Sequence, residues 1–282
     1  MEFATFGPGG NGDLFYRSGY KSSLDSPAFV AEIGLDAYEY EAGNGLTAGE
    51  ATLAAIGKAA KEKGVKMSFH TPYFISLSGI EEEKRLKSLD YIAKSLWAAE
   101  LLGADTIVIH SGSAAKISRE DAMALSKDTL ERAAELFAGT KVSLGIETMG
   151  KCNQLGTLEE VIEQCKVSPM FAPVVDFGHL YARSLGKEFQ TVDDFRRVFS
   201  TIGEKLGDHY AKHLHCHFSQ IEYTGAGEKR HLVFGNGQFG PAFEPLAEAI
   251  VKEGVFPRII CESAGTQAED ALYMKQTYKN LL

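Results

Sequence analysis

Three features of the sequence predict an α/β protein built as a single (β/α)8 TIM barrel over residues 1–282. Short apolar runs alternate eight times with longer segments whose apolar residues recur at i, i+3 and i+4. Four of those helical patterns stop at a glycine, Gly64, Gly103, Gly139 and Gly254, one to three residues ahead of the next run. No linker or low-complexity stretch divides the chain, and eight strand–helix units is the count of such a barrel.

The predicted strands are residues 3–6, 37–40, 66–70, 106–110, 142–147, 172–176, 211–217 and 258–262. Each is short and rich in apolar residues. The predicted helices are residues 53–63, 82–102, 120–137, 158–165, 192–202, 243–252 and 267–278, where the apolar positions mark one helical face. The first unit is the weakest, because residues 7–26 are rich in glycine and serine and leave room only for a short helix. A doubly wound open sheet would carry a phosphate-binding glycine loop after an early strand. The stretch GPGGNG at residues 7–12 has neither the following helix nor the acidic residue that such a loop requires.

Composition narrows the function classes. The chain has 44% hydrophobic and 24% charged residues, enough apolar material to fold without disulfides or a structural metal. The net charge of −9 argues against a general affinity of the whole surface for nucleic acid or anionic membrane, but leaves room for a local cationic site. Cys152, Cys165, Cys216 and Cys261 form no CxxC pair, so a reducing, cytoplasmic setting is expected. The first ten residues lack the pattern of a signal peptide, and no apolar run approaches the ~20 residues of a membrane span. A monomer without membrane contact is expected.

The informative pattern is the residue type at the strand ends. The third predicted strand ends in His70, the fourth in His110, the fifth in Glu147 and the sixth in Asp176, with His179 three residues on. The seventh ends in the alternating run His213, His215, His217, which puts three imidazoles on one strand face, and the eighth ends in Glu262. All ends of a parallel barrel open on one face, where barrel active sites are built. A single histidine or glutamate there is ordinarily a hydrogen-bonded structural residue. Six such ends together would repel one another and strand buried polar groups unless cations were bound. Oxygen and nitrogen donors without thiolates suit Zn²⁺, Mn²⁺ or Fe²⁺.

The number of ions is open at this point. Glu147, Asp176, His215 and Glu262 alone would make one carboxylate-rich site. His70, His110, His179 and His231 are then surplus, which favours a multinuclear centre of two or three Zn²⁺, with Mn²⁺ as an alternative. Carboxylates would bridge ions ~3.5–4 Å apart, an arrangement suited to phosphodiester hydrolysis.

The segments HTPYFISL, VIHSGS, IETMG, VVDFGH, LHCHFS, RHLVFGNGQFG and CES occur in an order that resembles the motifs of the endonuclease IV family, AP endonuclease family 2, within the xylose-isomerase-like TIM barrel superfamily. The resemblance runs from about the third strand to the C-terminus. It implies three Zn²⁺ at the barrel mouth and cleavage of DNA 5′ of abasic sites. By resemblance, His70, His110 and Glu147 hold the first ion. Glu147 bridges to a second, held also by Asp176, Glu262 and either His215 or His217, the spacing to Ser219 favouring His215. His179 and His231 hold the third. Glu147 and Glu262 would orient or deprotonate the attacking hydroxide.

The sequence departs from the family pattern in places. Lys229-Arg230-His231 stands where the family has D-R-H, so Glu228 is expected to turn inward in place of the missing aspartate, with Lys229 turned to solvent. The loop after the second strand, read as residues 38–45, is acidic instead of basic and aromatic. Tyr73 is the expected stacking residue, Arg230 an expected substrate contact, and Arg119 and Arg183 further cations near the mouth. The alternative function is a sugar isomerase or epimerase with one ion on Glu147, Asp176, His215 and Glu262. Its two glutamates would pass a proton beside a polarised carbonyl of a small sugar.

Overall fold

The computed structural model describes residues 2–282. In chain order its elements are β1 (Thr5–Pro8), α1 (Asp13–Arg17), α2 (Ser26–Glu32), β2 (Ala37–Glu41), α3 (Glu50–Lys63), β3 (Lys66–His70), α4 (Glu82–Leu102), β4 (Thr106–His110), α5 (Arg119–Leu136), β5 (Ser143–Glu147), α6 (Leu158–Cys165), β6 (Phe171–Asp176), α7 (Phe177–Arg183), α8 (Val192–Leu206), α9 (Asp208–Lys212), β7 (His215–Phe218), β8 (Gln220–Thr224), β9 (Gly227–Leu232), α10 (Glu244–Glu253), β10 (Arg258–Cys261) and α11 (Gln267–Lys279). Eight of these strands form one parallel sheet in the order β1-β10-β7-β6-β5-β4-β3-β2, and β8 and β9 form a separate antiparallel hairpin. This is the TIM barrel that the alternating pattern predicts.

The barrel closes between β1 and β2. Gly9 bridges Glu39 in parallel, the Asp36 amide donates to the Phe6 carbonyl at 2.9 Å, and the Gly10 amide donates to the Glu39 carbonyl at 3.0 Å. The seam is close enough that a Cβ on Gly7 would stand 1.7 Å from the Ala37 carbonyl oxygen. Only glycine fits there.

Inside the barrel, strand alternation puts Val108, Val174 and Ile260 two residues before His110, Asp176 and Glu262, and all three apolar residues are fully buried. A second apolar layer packs the outer strand faces against the helices, led by Phe69, Phe171, Phe177, Phe195, Phe199 and Phe243. Local chemistry starts the helices: Thr157 with Glu160 and Thr191 with Asp194 form capping boxes at α6 and α8. Left-handed Gly64, Gly103 and Gly254 end α3, α4 and α10.

Several expectations are corrected. The first strand lies two residues later than expected, because Thr5–Pro8 is the segment in register with Arg258–Cys261. The seventh predicted strand loses its first half: Ala211 lies in α9 and His213 is that helix's C-terminal cap, so only His215 and His217 remain on a strand face. The segment at 38–41 is part of β2 and is not a loop. The β8–β9 hairpin has no counterpart in the predicted elements, since its polar alternation gives little apolar signal. Among the described residues no helix is long and apolar enough to cross a membrane.

The closure carries a direct test. Gly7→Ala is expected to lower stability by about 3 kcal/mol, since backbone must move to admit the methyl group. Gly139→Ala, whose Cβ would meet nothing within 4 Å, is expected to be neutral. Urea midpoints at constant m-value read both.

Candidate metal centre

Strand alternation and parallel register bring the predicted residues to one end of the barrel. His110 is paired with Glu147, and Asp176 with His217, across neighbouring strands. His70, His110, Glu147, His179, Glu228 and Glu262 line a cavity of about 610 Å³ together with Glu41, Tyr73, Lys151, His231 and Gln267, with Asp176 and His217 buried beneath it.

Five groups of possible ligands converge at this end of the barrel; two contain Glu39, with His215 and His217 or with Glu41 and Glu262, and three do not. Of those three, His70, His110 and Glu147 form one; Glu147, Asp176, His217 and Glu262 a second; His179, Glu228 and His231 a third. Glu147 stands between the first two. Its Oε2 lies 3.7 Å from His70 Nε2 and 3.4 Å from His110 Nε2, while its Oε1 lies 2.9 Å from His217 Nδ1 and 3.6 Å from His179 Nδ1. Glu262 spans the second and third sets, with Oε1 3.3 Å from His217 Nδ1 and Oε2 4.0 Å from His231 Nδ1.

The spacing of Asp176 and His179 has a local cause. Asp176 is the N-cap of α7, and its Oδ1 accepts the His179 amide proton at 2.7 Å. The cap holds His179 over the carboxylate and leaves Oδ2 buried without a hydrogen-bond partner, 3.5 Å from His179 Nδ1. Three imidazoles are oriented from behind. Nδ1 of His70 lies 2.9 Å from the Thr71 carbonyl, Nδ1 of His179 lies 2.9 Å from the Thr148 carbonyl, and Nδ1 of His231 lies 2.8 Å from Ser219 Oγ. Each pair turns Nε2 toward the cavity, the outer-shell arrangement typical of metal-ligating histidines.

Glu228 reaches the third set through a β-bulge. Glu222 faces Arg230 and Tyr223 faces Glu228 across the hairpin, so Lys229 is the extra residue. The bulge turns Glu228 and His231 to one side, with Glu228 Oε2 3.5 Å from His179 Nε2 and Oε1 4.0 Å from His231 Nε2. It turns Lys229 and Arg230 to the other, where both pair with Glu222, at 2.5 and 2.7 Å. Gly150 allows this approach, since a Cβ there would stand 2.6 Å from the Glu228 Cβ.

The electrostatics fit bound cations. Glu147 Oε2 and Asp176 Oδ2 are buried without a hydrogen-bond partner. Burial, together with the Glu147 and Asp176 carboxylates, pushes Glu262 well above the usual carboxylate range, against the pull of His217. Burial likewise raises Glu41 to about 7, and pushes His110 down to about 3. Burial would also lower His70, but Glu41 and Glu147 override it and hold His70 up to about 10. Three carboxylates this close keep their charges only beside compensating cations. The donors are all imidazole and carboxylate, a set that suits Zn²⁺ or Mn²⁺.

Other expectations are corrected by the placement. His217 takes the position in the second set that the spacing to Ser219 favours for His215. His215 sits one layer deeper, with Nε2 3.0 Å from Glu39 Oε2. Arg230 points away from the cavity. Arg119 and Arg183 are committed to the chain itself: Arg119 pairs with Glu160 and donates to the Cys152 and Gln154 carbonyls, and Arg183 donates to the Met149, Lys151 and Gln154 carbonyls. Tyr73 is exposed at the rim and stacks on His110 at 5.2 Å between ring centroids. Sequence reasoning missed Glu39 and Glu41. Their i, i+2 spacing on an apolar strand was the available signal, hidden once the segment was read as loop.

Comparison with known proteins shows the family and the fold. Residues 27–278 match the family model of the xylose isomerase-like TIM barrel. An uncharacterised protein of Methanocaldococcus jannaschii is 30% identical over 222 residues, 77% of this chain and 80% of its own. A probable endonuclease 4 of Acholeplasma laidlawii is 29% identical over 216 residues, 71% of this chain and 69% of its own. Among solved structures, endonuclease IV from Thermus thermophilus superposes with a TM-score of 0.71 at 19% identity, covering 93% of this chain and 95% of that one. A D-tagatose 3-epimerase-like protein gives 0.70 at 18%, covering 100% and 98%. At those identities the structural likeness shows the fold alone.

The third ligand set is testable by itself. Glu228→Ala is expected to lower the zinc content of a loaded chain by about one ion, and Lys229→Ala to leave it unchanged, by elemental analysis after gel filtration. An equal count in both variants would make Glu228 a bystander.

Proposed function

The chain belongs to the family of xylose isomerase-like TIM barrels, and on that premise we propose that it is a Zn²⁺-dependent phosphodiesterase that cleaves DNA 5′ of abasic sites. One observation carries the reading: the third set, His179, Glu228 and His231, beside the two that share Glu147. A one-ion isomerase has no use for it. The likeness to proteins named probable endonuclease 4 supports the same substrate.

His70, His110 and Glu147 would hold one ion, Glu147, Asp176, His217 and Glu262 a second, and His179, Glu228 and His231 a third. When bound, such ions supply a nucleophile at neutral pH and compensate charge on the phosphate and the leaving oxygen. The chain's own residues do the rest. Glu147, fully buried and turned both ways, fixes the spacing of the first two sets. Glu262 lies at the cavity wall with Oε1 toward His217 and Oε2 toward His231, where it would take up the proton of the attacking water. Tyr73, stacked on His110 and exposed at the rim, offers the free part of its ring to a sugar or base at the lesion.

A second reading has its own support. Glu41 places a carboxylate on the cavity wall, where it would oppose a phosphate, and Glu147, Asp176, His217 and Glu262 alone would serve a one-ion epimerase acting on a small sugar. Its test is included below.

A duplex carrying one tetrahydrofuran abasic site is expected to be nicked on the 5′ side by the zinc-loaded chain. Chelation should abolish nicking, and Glu262→Gln should slow it by roughly 10²–10⁴-fold. Epimerisation of D-fructose or D-tagatose by a chain holding one ion, without nicking, would replace this reading with the second. Because Arg119, Arg183 and Arg230 are engaged within the protein, the affinity for DNA should fall with salt at a slope of only about one or two phosphate contacts. Fluorescence anisotropy across a salt series measures it.

A further inference from the structure

We propose that Glu39, a carboxylate at the centre of the barrel, is the positioning residue that decides which nitrogen of His217 faces the metal centre. Glu39 lies outside the three ligand sets just described and is fully buried, as is His217. Its Oε1 lies 2.8 Å from His217 Nε2, and its Oε2 lies 3.0 Å from His215 Nε2. By hydrogen-bond geometry His217 Nε2 and Glu39 Oε1 are both buried without a partner, so their 2.8 Å contact is an ion pair for which no other donor or acceptor competes. The proton on Nε2 therefore has Glu39 as its only outlet.

His217 differs in this from the other imidazoles of the centre. His70, His179 and His231 give Nδ1 to a carbonyl or hydroxyl and turn Nε2 to the cavity. His217 is turned the other way round. Its Nδ1 faces Glu147 Oε1 at 2.9 Å and Glu262 Oε1 at 3.3 Å, so Nδ1 is the atom available to a cation in the second set. A neutral imidazole has one donor nitrogen and one acceptor nitrogen, and the partner of the first fixes the second. A neutral carbonyl would do this weakly. A buried carboxylate does it strongly, and also raises the basicity of the ligating nitrogen.

The backbone explains why the carboxylate stays there. Glu39 sits on β2 at the closing seam of the barrel, where its carbonyl accepts from the Gly10 amide and its own residue bridges Gly9. The strand cannot rotate the side chain outward without opening the seam. His215, on the same face of β7 two residues before His217, occupies the second carboxylate oxygen and keeps the group from swinging away from His217.

The inference rests on the metal-centre part of the proposed function and not on the substrate, so failure to nick abasic DNA leaves it standing. The test is ¹⁵N NMR of the full chain labelled at histidine nitrogens, with and without zinc, together with zinc affinity by competition with a chelator. In the wild type, His217 Nε2 should carry a proton in both states, and Nδ1 should lose its proton on zinc loading. Glu39→Leu should weaken zinc in one site on the order of 10–100-fold and free the ring to exchange tautomers. Glu39→Gln, which keeps an acceptor oxygen but no charge, should fall between. If Glu39→Leu fails to fold, the wild-type spectra and the glutamine variant decide the matter. A bare Nε2 on His217 in the wild type, or zinc affinity unchanged in Glu39→Gln, would overturn the proposal.

Discussion

The site depends on one constraint: the parallel barrel delivers alternate residues of its strands to one end, and there it crowds buried carboxylates that cannot all be charged alone. Glu147 stands at the centre of that crowding, with one oxygen toward His70 and His110 and the other toward His217 and His179. Imidazoles compensate it on both sides. Asp176 and Glu262 have no lysine or arginine within ion-pair distance among the described residues. A carboxylate in that position either takes a proton or sits beside a cation. Everything else about the centre, from the α7 cap to the hairpin bulge, adjusts how the surrounding groups meet that demand.

The mouth is shaped by segments that no strand provides. The loop from Met149 to Gln154 is held from behind by Arg183 and Arg119, which spend their donors on its carbonyls, and from the side by β9, where the Glu228 amide donates to the Gly150 carbonyl at 3.0 Å. Guanidinium groups suit this task because their donors fan out in a plane and can reach several carbonyls at once. The consequence is a rigid wall with little free positive charge. Lys151 is the only lysine or arginine among the residues lining the cavity. A substrate phosphate would meet the centre itself and one ammonium, and little else that is cationic.

Ligand sets and barrel are thereby separable in this chain. The second ligand set sits entirely at strand ends and their first following residues, which any barrel of this kind can supply. The third set needs the β8–β9 hairpin, its one-residue bulge and the glycine at position 150 that admits Glu228. The set on which the proposed hydrolytic reading rests thus depends on an excursion outside the barrel sheet.

The sequence alone determined the barrel and most of its functional end. Apolar runs of strand length, glycine stops and the polar residue at each strand end are local signals, and local signals survive without a partner. They placed His70, His110, Glu147, Asp176, His179 and Glu262 correctly at one face. The motif departure at Lys229 also pointed to Glu228, because a glycine-rich segment can absorb a one-residue shift. Tertiary structure decided the rest. Which of His215 and His217 meets the centre depends on depth along the barrel axis, a quantity that the twofold alternation of a strand leaves undefined. Glu39 became an interior residue only once the seam between β1 and β2 closed over it, which also brought Glu41 to the cavity wall. The arginines read as mouth cations were drawn back to loop carbonyls, since hydrogen-bond partners far apart in sequence are chosen by the fold and carry no mark in the chain.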